Sequence, residues 1–345
     1  MRVFLLLISL MLAYSCIGKE NATVVVLDQS IKKNAKEITG DTIEYDSHIM
    51  ADEYYIMDDS ILIIFNDTHH ADCFFEFYNT NNGQLLKRYL FRGNGHNELV
   101  NIIAYYNDGY LYVNGFMNNV FVKVDCRQLL TDPLYNPAFV NYTAYTQNLI
   151  PFDDESFIYE NAYCFSDPSI HVNQDVPRLL LTNKKSGKEK YKYDTYNVTG
   201  GIIMLNKPGD RIVYASKRFP FIEIYNTRLE MLKKIKGPDE LNVKYHINEK
   251  NNEIIFKGVI PQTFMRYAYN KDHFFLAYKG VLSNNPNKNL NTWIFKFNWN
   301  GDVIDSYLYR GSIECLSISN DEEYLYVTTH DALGVPALVK LIIKY

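Results

Sequence analysis

The chain has 345 residues, 47% of them hydrophobic and 15% aromatic, with 29 Tyr and 20 Phe. That composition supplies a core and excludes disordered, collagenous and coiled-coil chains. Its 35 basic against 40 acidic residues leave a net charge of −5, which offers no basic surface for electrostatic capture of nucleic acid.

Arg2 precedes a ten-residue apolar stretch, Phe4 to Ala13, and small Ser15 stands directly before Cys16. As a helix ten residues rise about 15 Å, half of a bilayer's hydrocarbon thickness, so the segment reads as a targeting signal and not a span. Two readings fit: an ordinary secretory signal, and a bacterial lipoprotein signal in which Cys16 becomes the acylated first residue. The position of Cys16 at the end of the apolar stretch favours the second, with Leu12 to Cys16 as a loose lipobox whose Tyr14 is unusually bulky. On that reading residues 1–15 are removed, residues 16–47 hold the lipidated Cys, a tether and a ring-closing strand, and residues 48–345 form the folded body. The membrane is then a partner through Cys16.

Cys73, Cys126, Cys164 and Cys315 contain no Cys-x-x-Cys spacing. A zinc ribbon or thioredoxin-like motif is therefore excluded, and the four read as small buried hydrophobes or inert thiols.

From residue 23 onward short β-branched and aromatic segments alternate with Asn, Asp, Gly and Pro clusters, and no long window carries a helical apolar stripe. One unit recurs: an acidic turn followed by a strand, starting at Asp59, Asp108, Asp154, Asp210, Asp272 and Asp321. A second strand follows at 75–79, 120–125, 179–183, 222–226 and 294–298, usually ending in an Asn or Asp able to cap the next turn through its side chain. An outer strand repeats as YLFRG at 89–93 and YLYRG at 307–311. The 288 residues from Asp58 to Tyr345 divide into six units of 48. Four-stranded units of this period predict an all-β, six-bladed β-propeller with antiparallel blades. Its axis is predicted to be lined by strands near 49–57, 99–105, 149, 201–206, 262–269 and 313–319.

The last unit ends the chain one strand short. An open edge invites aggregation, and Thr23–Leu27 is predicted to fill the gap and close the ring, with a disordered tether after Cys16 as the alternative.

Arg92-Gly93-Asn94-Gly95-His96-Asn97-Glu98-Leu99 resembles the Gly-x-Gly-Pro-Gly-Glu-Phe stretch of the TolB-like six-bladed propeller lipoproteins of Bacteroidetes. His96 and Asn97 replace the usual Pro and Gly. The resemblance implies architecture, export and an outer-membrane address more than any activity.

In a propeller, the loops around one mouth of the channel collect side chains from several blades, which is the default place for a ligand. His69, His70, Arg92, His96, Asn97 and His330 are the candidate ligand-binding residues, as donors to sugar hydroxyls, carboxylates or phosphates; Lys217 and Arg218 share the same face. His69, His70, Asp67 and Asp72 could ligate a metal only from an irregular loop, since adjacent strand residues point to opposite sides, and a polar exposed loop is the simpler reading. Arg92 and Glu98 fit a blade-joining role, because Arg310-Gly311 and Glu240 repeat them. No nucleophile elbow, metalloprotease motif, phosphate loop or dinucleotide fingerprint is present, and no cofactor is implied. Long loops at 161–177, 237–260 and 281–290 are candidate binding elements. The expectation is a non-catalytic, membrane-anchored envelope protein that binds a protein or glycan. The alternative is a propeller enzyme, a metal-assisted hydrolase or carbohydrate-active enzyme, using channel-mouth His and carboxylates.

Overall fold

The computed structural model describes residues 22–43, 53–66, 72–95, 97–107, 109–115, 120–141, 149–152, 156–160, 179–183, 201–241, 245–248, 253–257, 260–282, 291–330 and 336–344. An N-terminal strap comprises β1 (Thr23–Val26), α1 (Ser30–Lys33), β2 (Lys36–Ile38) and β3 (Gly40–Ile43). The first blade follows as β4 (Glu53–Met57), β5 (Ile61–Phe65), β6 (Cys73–Asn79) and β7 (Leu85–Phe91). The next is β8 (Ile103–Asn107), β9 (Tyr110–Gly115), β10 (Val120–Asp125) and β11 (Phe139–Asn141), with α2 (Cys126–Thr131) between its last two strands. A three-stranded sheet comprises β12 (Leu149–Pro151), β13 (Ser156–Glu160) and β14 (Leu179–Asn183). Then come β15 (Gly201–Asn206), β16 (Arg211–Ser216), β17 (Phe221–Tyr225) and β18 (Met231–Lys236), followed by a separate hairpin of β19 (Tyr245–Asn248) and β20 (Glu253–Phe256). The last two blades are β21 (Pro261–Tyr269), β22 (His273–Leu282), β23 (Asn291–Asn298) and β24 (Val303–Arg310), then β25 (Cys315–Ile318), β26 (Tyr324–His330) and β27 (Pro336–Ile342).

The chain is an all-β propeller with antiparallel blades. Among the described residues five sheets have four or five strands, against six blades expected. Within the blades, sequence and burial agree on what each strand does. Middle strands pack against neighbouring blades on both faces, so they read as near-continuous apolar runs: β5 is ILIIF, with all but its first residue buried, and every residue of β17 is buried. Outer strands such as β7, with a mostly exposed pattern, keep one face in water.

Two buried strands nevertheless carry a carboxylate. Glu76 on β6 accepts from Tyr78 Oη (2.8 Å) and Arg88 Nε (2.9 Å). Glu223 on β17 repeats this with Tyr225 Oη (2.8 Å) and Lys234 Nζ (3.0 Å), the ammonium also sitting 4.4 Å from the Phe221 ring centroid. A buried carboxylate is tolerated only when paired and hydrogen-bonded, which explains the recurring Glu-x-Tyr-Asn sequence. The Asn that ends these strands, and Asn298 at the end of β23, cap the next turn as expected. Asn79 Oδ1 accepts from Asn81 N, Asn226 Oδ1 from Arg228 N and Glu230 N, and Asn298 Oδ1 from Asn300 N and Asp302 N.

The strap corrects the predicted closure. Thr23–Val26 does not join the last sheet; it lies parallel to β18, from Thr23 opposite Lys233 to Val26 opposite Lys236. There it is an added edge, leaving Val24 58% and Val26 64% exposed. β2 then runs parallel to β24, and it is β3 that covers the free edge of β27, antiparallel, with Leu338 opposite Ile43 and Leu341 opposite Gly40. Gly40 permits this approach, since a Cβ there would stand 1.9 Å from the Lys340 carbonyl oxygen. The strap is pinned by α1, whose Lys32 pairs with Asp239 at 2.9 Å and lies 4.1 Å from the Trp293 ring centroid.

Candidate functional site

The first strand of each blade lies at the opposite end of its sheet from the outer strand. β25 lies beside both β4 and β21. These inner strands match the predicted axis-lining segments, and four of them, β4, β8, β21 and β25, with Lys217 from the β16–β17 turn, enclose a cavity of about 100 Å³. At roughly 10–15 Å³ per water it holds on the order of seven to ten water molecules, room for a small ligand or for one end of a larger partner.

The lining is phenolic and charged. Tyr55, Tyr106, Tyr267 and Tyr269 present rings, with Tyr55 and Tyr106 at 5.8 Å and Tyr267 and Tyr269 at 6.1 Å between centroids. The backbone sets the level of the charges. Tyr54 N donates to Cys315 Sγ (3.2 Å) and the thiol donates back to Tyr54 O (2.9 Å), so Glu53 and Glu314 stand side by side on neighbouring strands. Arg266 Nη2 donates to Glu314 Oε2 at 3.3 Å. One strand further on, Thr263 N donates to Lys217 O at 3.1 Å, which brings the Lys217 turn beside β21. Round the axis the order is therefore Glu53, Glu314, Arg266, Lys217: an acidic half followed by a basic half.

Two groups in this ring are incompletely satisfied. Glu53 accepts from the Tyr55 hydroxyl and has no ion-pair partner among the described residues. Arg266 Nε is buried with no hydrogen-bond acceptor among them. The field of Glu53 reaches across the cavity. Burial first, and then the Glu53 charge, push the Tyr55 and Tyr267 phenols well above their usual range. The same causes raise the Cys315 thiol to about 12, leaving it protonated and unreactive. Tyrosines held neutral can donate hydrogen bonds as well as offer ring faces.

The candidate residues read from sequence lie elsewhere. His69, His70 and His96 fall outside the described residues, as do Cys16 and the loop at 161–177. Arg92 is built into the framework: Nη2 donates to Asn66 O (2.9 Å), Nη1 to Val100 O (3.4 Å), and the guanidinium lies 4.0 Å from the Phe74 ring centroid. Its loop closes on itself, with Gly93 N donating to Leu99 O and Gly95 N to Glu98 Oε2 (2.8 Å). Gly93, at φ 154°, leaves the room that Glu98 occupies, and Asn97 turns the chain at φ 63°. This is the geometry of a blade-joining turn. His330 ends β26, exposed, opposite Pro336. Of the described polar residues assigned to the loop face, Lys217 is the one that lines the cavity. Sequence reading missed Glu53, Arg266 and Glu314; their signal was a charged residue beside a Tyr or Cys at corresponding places on inner strands. Among the described residues no three His, Cys, Asp or Glu side chains are placed to hold a metal ion.

No family model and no curated protein matches the sequence. Among solved structures, the fold is similar to that of a member of the DUF4221 family from Bacteroides vulgatus ATCC 8482. The TM-score is 0.55 with 10% identity, over 89% of this chain and 98% of that one. It is also similar to an inferred exported protein of Bacteroides fragilis NCTC 9343, with TM-score 0.52 and 11% identity, over 94% of this chain and 100% of that one. At such identity the likeness concerns the fold alone.

Proposed function

We propose that this chain is an exported, lipid-anchored propeller of the cell envelope that works as a non-catalytic binding module for a glycan or protein partner, with the axial cavity as its binding site. The observation that carries the reading is the cavity itself, where phenolic and charged side chains from several blades converge and where Glu53 has no ion-pair partner among the described residues. Propeller folds place ligands where blades converge, and polar groups left unmet in a cleft mark a site awaiting one. The three-stranded sheet β12–β14 is read as the sixth blade, β3 as the strand that closes the ring, and the Arg92–Leu99 turn as the TolB-like element. Export is supported by the Phe4–Ala13 stretch ending at Cys16, and by the description of the Bacteroides fragilis protein of similar fold as exported. Acyl chains contribute about 0.8 kcal/mol per buried methylene, so more than one on Cys16 holds the chain on a bilayer, with the outer membrane as the proposed address.

Two measurements test this. Cys16→Ala is expected to move the protein from the membrane to the soluble fraction; a variant that stays in the membrane contradicts the anchor. A glycan and envelope-fragment screen against wild type, Tyr267→Ala and Arg92→Ala is expected to find ligands lost with the cavity variant and kept with the loop variant. The reverse pattern places the site on the loops.

A further inference from the structure

We propose that the outer edge of the sheet that carries β1 is the surface on which this protein rests against a phospholipid bilayer, with Val24 and Val26 at the lipid interface. The inference rests on the reading of Cys16 as the acylated residue and adds which part of the propeller meets the membrane.

Three observations carry it. First, the tether is short. Thr23 follows Cys16 by seven residues, at most about 25 Å of extended chain. The sheet that ends in β1 is five strands deep, about 19 Å from β15 to β1, so the rim on the far side of the ring lies outside that reach. Thr23 stands opposite Lys233, midway along β18, which leaves the edge itself, and neither face of the ring, nearest to the anchor. Secondly, the edge is bare and apolar. β1 has β18 on one side and no strand on the other among the described residues. Its sequence TVVV, in unbroken register, has none of the Lys, Pro or bulges that keep an exposed edge from pairing. Val24 and Val26 are 58% and 64% exposed, the highest values for a large hydrophobic residue among the described strand residues. Thirdly, Lys236 stands exposed opposite Val26. It is a cation beside apolar side chains, the combination that a boundary of hydrocarbon and anionic headgroups favours. A bilayer held by an anchor a few residues away covers the valines without any further protein. The ring then stands on its edge, and neither end of the axial channel is turned toward lipid.

The test is tryptophan quenching on the full acylated protein in vesicles of phosphatidylethanolamine and phosphatidylglycerol that contain lipid brominated near the headgroup. Val24→Trp and Val26→Trp are each compared with Leu86→Trp, an exposed position on β7 on the far side of the ring, and with Ile260→Trp and Lys271→Trp, exposed positions just beyond the two ends of β21. Emission is read over the wild-type background of Trp293 and Trp299. Interfacial side chains sit about 5–10 Å into the headgroup and acyl boundary, so Val24→Trp and Val26→Trp are expected to lose about half of their added emission to bromolipid, and the other three variants to keep theirs. Two positions on one edge keep the test decisive if one variant fails to fold. Quenching of Leu86→Trp, Ile260→Trp or Lys271→Trp equal to or above that of the valine variants overturns the inference by putting another surface on the bilayer. Vesicle-bound protein in which none of the five is quenched overturns it while leaving the anchor in place. Shielding of Val24→Trp from aqueous iodide in intact envelopes, without quenching by bromolipid, overturns it in favour of a protein partner on the same edge. Protein that does not float with the vesicles, or that carries no acyl group by mass spectrometry, contradicts the anchor, and the inference falls with it.

Discussion

Replacing Lys234 by Met tests the energetic account of the blades. Lys234 and Glu223 form a pair at 3.0 Å with side chains 8% and 0% exposed. Met conserves the stem that packs near Phe221 but removes the cation from beside a fully buried carboxylate that also accepts from the Tyr225 hydroxyl. Removing one member of such a pair costs about 3–5 kcal/mol, because the surviving charge keeps its desolvation penalty. The 330 residues from Cys16 to Tyr345 imply an unfolding entropy of about 0.7 kcal/mol/K, from roughly 2.1 cal/mol/K per residue. Lys234→Met is then expected to lower the melting temperature by about 4–7 °C. The double variant Glu223→Gln, Lys234→Met removes both charges while keeping an acceptor for Tyr225. It is expected to recover to within about 1 kcal/mol of wild type. Differential scanning calorimetry of the three proteins decides. A single variant melting within about 1 °C of wild type, or a double variant no better than the single, refutes the buried-pair argument.

Other consequences are separable. Burial works to raise the Glu322 carboxyl, but hydrogen bonds from Lys296 (2.6 Å), His273 (2.8 Å) and Asn270 (2.6 Å) outweigh it and leave the group below its ordinary 4.5. A carboxylate lowered on folding stabilises above its unfolded value and loses that contribution as pH falls through its folded one. Glu322→Gln is therefore expected to lower the melting temperature at pH 7 and to converge on wild type below pH 4.5; a constant difference down to pH 3.5 contradicts this. Gly40→Val, whose Cβ would meet the Lys340 carbonyl oxygen, is expected to destabilise the protein by several kcal/mol on thermal melting. Deleting residues 22–26, an added edge with two exposed Val, is expected to cost less, and the opposite order would return ring closure to Thr23–Val26.

Much of the architecture was legible because it rests on repetition. The Glu-x-Tyr-Asn strands, the Asn turn caps and the acidic starts of the second strands recur, and each repeat is held by the same local chemistry, so sequence alone located the inner strands. The strap was not legible. TVVV at 23–26 has stronger strand chemistry than GDTI at 40–43, and only the backbone approach allowed by Gly40 decides which of them meets β27. The site failed for a related reason. Loop histidines and Arg92 stand out in a sequence, yet Arg92 is used up on Asn66, Val100 and Phe74. Glu53, Arg266 and Glu314 lie inside β-rich stretches, where no spacing separates a residue facing the axis from one facing a neighbouring blade. Their convergence exists only once β4, β25 and β21 lie side by side.

A crystal structure of the chain from Cys16 onward, grown with the tightest-binding member of the glycan and envelope-fragment screen, tests the central claim most directly. The account expects ligand density in the axial cavity, touching the Tyr55 and Tyr267 rings. Ordered water alone in the cavity, with the ligand seated on the loops around Arg92 and His330, would contradict it.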